Sequence, residues 1–222
     1  MAYSAIVKPQ DYFNTVLYTG NGGTQTISGV GFQPDFLWIK NRSGAGNHML
    51  QNAVRGSTKH LHSNTSDIEV TDATGVTSFN SDGFAVSSNG NLNGNGTTTA
   101  SWNWLANGTG SANTDGATNT TVSVNTTAGF SIVNWTGTGS ATTLGHGLGA
   151  VPKFWIIKNL DQVEDWRVYH NSLGNTKMLE LNNTNAEASD ISYWNNTSPT
   201  SSVMTVGSSN ANNGSGRNMI AY

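Results

Sequence analysis

Cysteine is absent from all 222 residues of the chain. Disulfides, thiolate nucleophiles and cysteine-ligated metals are therefore excluded from both its fold and its chemistry. Small secreted eukaryotic domains usually carry disulfides, so this absence favours a prokaryotic or viral origin.

Charge is scarce as well. Lys, Arg, Asp and Glu make up 10% of the chain, whereas soluble proteins carry roughly 25%. The net charge of −3 comes without a basic cluster, so we expect no nucleic-acid partner and no insertion into a membrane. No apolar run reaches membrane-spanning length, and the first residues lack the basic and apolar tracts of a signal peptide. Gly, Asn, Ser and Thr replace the charges and form turns and uncharged polar surfaces.

Catalytic motifs are missing too. The chain has no Gly-x-Ser-x-Gly, phosphate-loop or His-Glu-x-x-His pattern. His60 and His62 share one face of a predicted strand and could supply two ligands of a metal site, but we favour exposed polar residues. Asp161, Glu164 and Asp165 are interpreted as a solvated loop, with a weak calcium site as the alternative. We therefore expect no enzyme activity, no cofactor and no metal.

The chain is built from a duplicated module. Segment 31–41 (Gly-Phe-Gln-Pro-Asp-Phe-Leu-Trp-Ile-Lys-Asn) returns as segment 149–159 (Gly-Ala-Val-Pro-Lys-Phe-Trp-Ile-Ile-Lys-Asn), and the register continues without a gap. We expect Phe36 to match Phe154 and Lys59 to match Lys177. The predicted domains are module 1 at 1–106, a linker or polar loop at 107–126, and module 2 at 127–222. Because Tyr222 aligns with Trp102, we expect the last strand of module 2 to be interrupted, with an open edge.

Short β-branched and aromatic runs between Gly and Asn clusters predict an all-β fold. Their spacing is typical of an antiparallel sandwich or barrel. The runs around Phe36–Ile39 and Phe154–Ile157 are apolar on both faces, which predicts central strands with buried Phe36, Trp38, Phe154 and Ile156. A further strand is predicted at 191–194.

Three tryptophans have no tryptophan at the matched position of the other module: Trp135, Trp166 and Trp194. They are candidate ligand-binding residues, because an exposed indole face can stack on a sugar ring. The alternative is burial at a module or subunit contact, which is the commoner fate of tryptophan.

Several strings resemble the tandem modules of tail fibre and appendage proteins of marine tailed phages, of the cyanophage and pelagiphage type. The strings are 17–22 (Leu-Tyr-Thr-Gly-Asn-Gly), 29–36 (Gly-Val-Gly-Phe-Gln-Pro-Asp-Phe), 79–84 (Phe-Asn-Ser-Asp-Gly-Phe), 128–133 (Ala-Gly-Phe-Ser-Ile-Val), 145–149 (Gly-His-Gly-Leu-Gly) and 199–203 (Pro-Thr-Ser-Ser-Val). The resemblance covers almost the whole chain and implies lectin-like jelly-roll β-sandwich modules. It supplies no binding residues.

The resemblance implies a structural viral protein located in the virion. We expect a fibre or appendage on the particle surface that presents a host-receptor binding surface for carbohydrate. Its expected partners are other virion proteins, a host cell-surface glycan and further copies of itself, with a trimer favoured. The alternatives are a head decoration or spacer protein without a ligand and, less favoured, a glycan depolymerase.

Overall fold

A computed structural model describes residues 6–222 of the chain. The start of the predicted first module, residues 1–5, lies outside the described residues. The chain divides into two compact units: unit 1 runs to His62 and resumes at Glu69–Thr109, and unit 2 comprises Ser63–Ile68 and Gly110–Tyr222. The named strands of both units pair in antiparallel sheets, as the sequence predicts for an all-β fold.

Unit 1 holds a large sheet of strand order β1-β9-β3-β4-β5-β6 and a small sheet of order β2-β8-β7. A 3-10 helix at Pro9–Asp11 precedes β1, and a four-residue helix, α1 (Gly90–Asn93), precedes β9. The strands are β1 (Phe13–Thr19), β2 (Gln25–Ser28), β3 (Phe36–Asn41), β4 (Met49–Asn52), β5 (Gly56–His62), β6 (Val70–Thr71), β7 (Val76–Asn80), β8 (Gly83–Val86) and β9 (Thr98–Trp104).

Unit 2 holds a large sheet of order β10-β11-β12-β19-β14-β15-β16-β17 and a small sheet of order β13-β18. Its elements are β10 (Ser111–Asn113), β11 (Thr120–Asn125), β12 (Phe130–Thr136), β13 (Thr142–Gly145), β14 (Phe154–Asn159), β15 (Arg167–His170), β16 (Lys177–Glu180), β17 (Ala188–Ser189), α2 (Ile191–Trp194), β18 (Val203–Val206), α3 (Asn210–Asn213) and β19 (Asn218–Ala221).

The strand orders confirm the duplication. The run β1-β9-β3-β4-β5-β6 of unit 1 corresponds one for one to β12-β19-β14-β15-β16-β17 of unit 2. Phe36 and Phe154 begin the central strands β3 and β14, and Lys59 and Lys177 lie in β5 and β16. In each unit, side chains of the large and small sheets share one hydrophobic cluster, such as Leu37 with Phe84 in unit 1.

The predicted linker at 107–126 is wrong, because this segment contains β10 and β11. Strand β11 pairs along β12, with Thr121 opposite Asn134. Its alternating Val122 and Val124 pack against the core of unit 2. The polar composition masked this period-two pattern, in which the apolar residues face one side of a strand.

Two further predictions fail at the end of unit 2. Strand β19 pairs with both β12 and β14, so the expected open edge at the last strand is not there. The predicted strand at 191–194 is the helix α2, whose N-terminus is capped by the Asp190 side chain accepting a hydrogen bond from Ser192 N. Such a cap satisfies a helical N–H that otherwise has no partner.

The central strands are as predicted in position, and their burial is confirmed in part. Phe36 and Ile156 are buried, while Trp38 is half-buried. The predicted burial of Phe154 is wrong, because 52% of its surface is exposed. Phe36 lies across from Trp104 of β9, with ring centroids 5.1 Å apart. Strand β19 pairs with Ile157–Asn159 of β14 and so places no side chain across from Phe154.

Candidate functional site

The three candidate tryptophans are buried. Trp135, Trp166 and Trp194 are 2%, 0% and 1% exposed, so none of them can offer a ring face to a sugar. The ligand-binding prediction for these residues is therefore corrected. Trp135 and Trp194 are buried inside the hydrophobic cluster of unit 2, whereas the alternative placed the tryptophans at a module or subunit contact. For Trp135 in β12, period-two patterning gives the residues that share its strand face, but it does not say which face the core occupies. Trp194 lies in helix α2 and Trp166 precedes β15, where strand patterning gives no indication.

Trp135 and Trp194 form part of the hydrophobic cluster of unit 2. Trp155 stacks on Tyr169 with ring centroids 3.8 Å apart, and Trp194 meets both rings edge-on. The indole N–H of Trp194 donates to the Lys177 carbonyl oxygen at 2.9 Å. That of Trp135 donates to Asn213 Oδ1 at 3.4 Å. Both polar ends are thus satisfied inside the unit, as a buried indole requires.

The exposed aromatic ring of unit 2 is Phe154, which the sequence placed in the core. Phe154 pairs across the strands with His170, and their rings meet edge-on at a centroid distance of 6.4 Å. His170 and Lys153 are exposed, and Val151 is 40% exposed. We call Phe154 and His170 the Phe154 surface.

The Phe154 surface combines an apolar ring with one polar ring. The Nδ1 atom of His170 accepts the backbone N–H of Ser172 at 3.2 Å, which places the proton of the neutral ring on Nε2. An aromatic face stacks on the C–H groups of a sugar, while an imidazole N–H can donate to one of its hydroxyls. The surface is therefore suited to a weak, polar ligand.

Most other ionisable groups of the described chain are engaged in bonds that hold loops. The ammonium group of Lys158 is buried and donates to the carbonyl oxygens of Asn159, Gln162 and Ser66 at 2.9, 3.3 and 3.2 Å. Burial lowers the pKa of Lys158 to about 8, against the opposing effect of nearby Glu164 and Asp165. Lys40 makes the equivalent bonds in unit 1, to Asn41 O and Gly44 O.

The residues considered above as metal ligands or acids also have structural neighbours. His60 is buried instead of exposed, and burial lowers its pKa to about 4. Asp161 is exposed and accepts the backbone N–H of Asn218 at 2.7 Å. Within residues 6–222, no cluster of three or more His, Asp or Glu side chains could hold a metal ion. None of the helices described in that range is long and apolar enough to cross a membrane.

A shared loop is held by different acceptors in the two units. In unit 1 the carboxylate of Asp82 accepts the backbone N–H groups of Gly31 and Gly29 at 2.6 and 3.1 Å, and these bonds lower its pKa. In unit 2 the N–H of Leu148, which corresponds to Val30, donates to Nδ1 of His146 at 3.1 Å. The ring of His146 is buried, and its Nε2 lies 3.3 Å from Thr200 O.

Comparison with known proteins gives a family and no function. A family model described as "Domain of unknown function (DUF7483)" matches residues 8–222. The chain therefore belongs to this family. No curated protein and no solved structure matches it.

Proposed function

We propose that this member of the DUF7483 family is a virion structural protein, a fibre or appendage on the particle surface that binds a host-cell glycan. In this proposal the two units are lectin-like jelly-roll β-sandwich modules. The sharing of one hydrophobic cluster by a large and a small sheet supports the sandwich arrangement. The resemblance of the repeated strings to marine phage fibres supports the setting.

The observation that carries the binding proposal is the Phe154 surface. The phenyl ring has 52% of its surface exposed and lies on a regular strand beside an imidazole, so its face is available to stack on the C–H groups of a sugar. Sugar contacts of this kind are weak one at a time. Several copies on one particle would add them through avidity, which fits an assembly with other virion proteins and with further copies of the chain.

A spacer or head decoration protein without a ligand is the second candidate. It is favoured by the burial of all three candidate tryptophans. It is favoured also by the use of charged and polar side chains, such as Lys158 and Asp82, to hold loops. A depolymerase is the third and least favoured candidate, because Asp161 and Asp165 accept structural hydrogen bonds from Asn218 N and Asn182 Nδ2, whereas glycoside hydrolysis needs a pair of carboxyl groups free to act on the sugar.

Binding to an array of bacterial surface glycans and to envelope polysaccharide of the host tests the proposal. We expect weak binding that the substitution Phe154→Ala removes. The control variant Val163→Ala shortens another exposed apolar side chain of unit 2, 68% exposed, and should bind as the parent does. Binding by neither parent nor control, from folded and multivalent protein, would leave the spacer as the better account. Release of reducing ends from the polysaccharide would instead identify an enzyme.

A further inference from the structure

The edges of the two large sheets are unequal. Strand β1 is an edge of the large sheet of unit 1, and it is seven residues long. The other edges are β6 with two residues, β10 with three and β17 with two. Proteins commonly keep edge strands short, since a long edge exposes a row of unpaired backbone groups that pairs with other chains. Among the edges formed by residues 6–222, strand β1 is the exception.

Strand β1 also lacks the other protections of an edge. Its sequence, Phe-Asn-Thr-Val-Leu-Tyr-Thr, has no charge and no proline. Its pairing with β9 runs without a bulge from Phe13 to Thr19. On one face it exposes Leu17 and Phe13, whose surfaces are 62% and 37% accessible. Charges, proline and bulges are the usual means of blocking strand addition.

The hydrogen-bond pattern shows which backbone groups face outward. Gly20 N donates to Thr97 O, and Leu105 N donates to Tyr12 O, so the even-numbered residues of this stretch exchange bonds with β9. In an antiparallel pair alternate residues point their N–H and C=O away from the partner. The backbone N–H and C=O groups of the odd-numbered residues therefore face away from β9, on the open side of β1. These residues are Phe13, Thr15, Leu17 and Thr19. Two side chains bond there, Asn14 Oδ1 to Thr15 N and Gln25 Nε2 to Thr19 O.

The counterpart of β1 in unit 2 shows which element can pair with such an edge. Strand β12 holds the equivalent place in unit 2, and β11 pairs along it in antiparallel register. Ile132 and Asn134 of β12, which correspond to Thr15 and Leu17, lie opposite Ser123 and Thr121 of β11. The same backbone surface is thus covered by a strand in one unit and uncovered in the other within the described residues.

We propose that the open edge of β1 pairs with β1 of a second copy of this chain. In antiparallel register about Val16, Thr15 lies opposite Leu17 of the second copy, and Phe13 lies opposite its Thr19. Every outward N–H and C=O of the strand then meets a partner. A strand paired with itself sets like charges close together, and like charges on facing strands destabilise a sheet. Strand β1 carries no charge, which suits a second copy better than an unrelated partner.

This contact is isologous, so it closes after two copies and predicts a dimer instead of the expected trimer. The inference rests on the assembly part of the proposed function and refines it. It does not depend on which ligand the protein binds. Dimer formation and glycan binding are therefore separable measurements.

Sedimentation analysis of the full chain over a range of concentrations tests the proposal. We expect the parent to sediment as a dimer. The substitution Leu17→Lys removes the apolar contact and places two ammonium groups near each other, and it should weaken the dimer by about tenfold or more. Thr15→Pro removes an N–H that faces away from β9 and should do the same, because proline is tolerated on the outer side of an edge strand.

The control Val163→Lys adds the same charge at an exposed site of unit 2 and should leave the dimer intact. Circular dichroism and a denaturation curve show whether each variant is folded. A parent that sediments as a monomer up to its highest soluble concentration overturns the proposal. So does a dimer that survives in both folded β1 variants, because another surface then makes it. Loss of the dimer with unchanged binding to immobilised glycan would separate this inference from the proposed function.

Discussion

Replacing Asn213 by alanine should cost unit 2 much of its stability. Asn213 is buried, and its Nδ2 atom donates to Thr138 Oγ1, Ser140 O and Gly207 O at 3.0, 2.7 and 2.8 Å. Its Oδ1 atom accepts the backbone N–H of Thr138 at 3.0 Å. One side chain thus ties the loop after β12 to the end of β18.

The magnitude follows from how deeply each bond is buried. The bonds to Gly207 O and from Trp135 Nε1 are buried, so losing them leaves a carbonyl and an indole N–H without these partners, at about 1–3 kcal/mol for each group. The remaining bonds are partly buried, and water can replace them in part at roughly 0.5–1 kcal/mol each. Such terms are not additive, and the expected loss is about 3 kcal/mol. That is a large share of the stability of an ordinary domain.

Urea denaturation provides the measurement, and the chain offers two matched variants. Asn93 makes the same bonds in unit 1, to Asn21 Oδ1, Gly23 O and Ser87 O, so Asn93→Ala should destabilise by a similar amount. Asn210 is exposed and begins the same short helix as Asn213, so Asn210→Ala should change stability by less than about 0.5 kcal/mol. If Asn213→Ala and Asn210→Ala unfold at the same midpoint, the bonds do not carry the stability assigned to them.

Two further predictions concern His146 and the equivalent residues Phe36 and Phe154. Burial lowers the pKa of His146 below 6.5, so its contribution to the free energy of unfolding is full above pH 6.5 and is lost as pH falls through the folded-state pKa. The variant His146→Asn, whose side-chain oxygen can still accept the Leu148 N–H, should therefore lose less stability than the parent between about pH 7.5 and 5. An unchanged pH dependence of stability would contradict this. Phe154→Ala should cost less than about 1 kcal/mol in a denaturation curve while Phe36→Ala costs about 3–5 kcal/mol, and equal losses would show that Phe154 is buried in solution.

The repeated pattern made the strands and their order predictable. A run that is apolar on both faces needs cover on both sides, which places β3 and β14 in the middle of their sheets. The same reasoning failed for Phe154, because burial at the end of a strand depends on how far the neighbouring strand extends. Trp104 supplies that neighbour to Phe36. The sequence around Phe154 does not indicate how far β19 extends along β14.

The candidate site residues were harder to predict from the sequence than the strands, for a physical reason. A tryptophan at an unmatched position was interpreted as a candidate for the surface, but Trp135 and Trp194 fill space that the two sheets of unit 2 share. Which large residues fill a core is decided by summed volumes across facing strands, and many combinations serve equally well. The open edge of β1 could not be predicted either, since covering a strand depends on a partner that its own sequence does not encode.

The duplication supplies an internal comparison for interpreting the rest. Where both units keep a residue and its bonds, as with Asn93 and Asn213, the fold itself needs it. Where both units hold a loop through different N–H groups, as Asp82 does through Gly29 and Gly31 and His146 through Leu148, the loop is kept while its bonds change. The Phe154 surface and the edge of β1 differ between the units in exposure or pairing. Phe154 is exposed where β19 does not reach it, and β1 has no second neighbouring strand within residues 6–222, so glycan binding and sedimentation are the measurements that decide whether either surface has a partner.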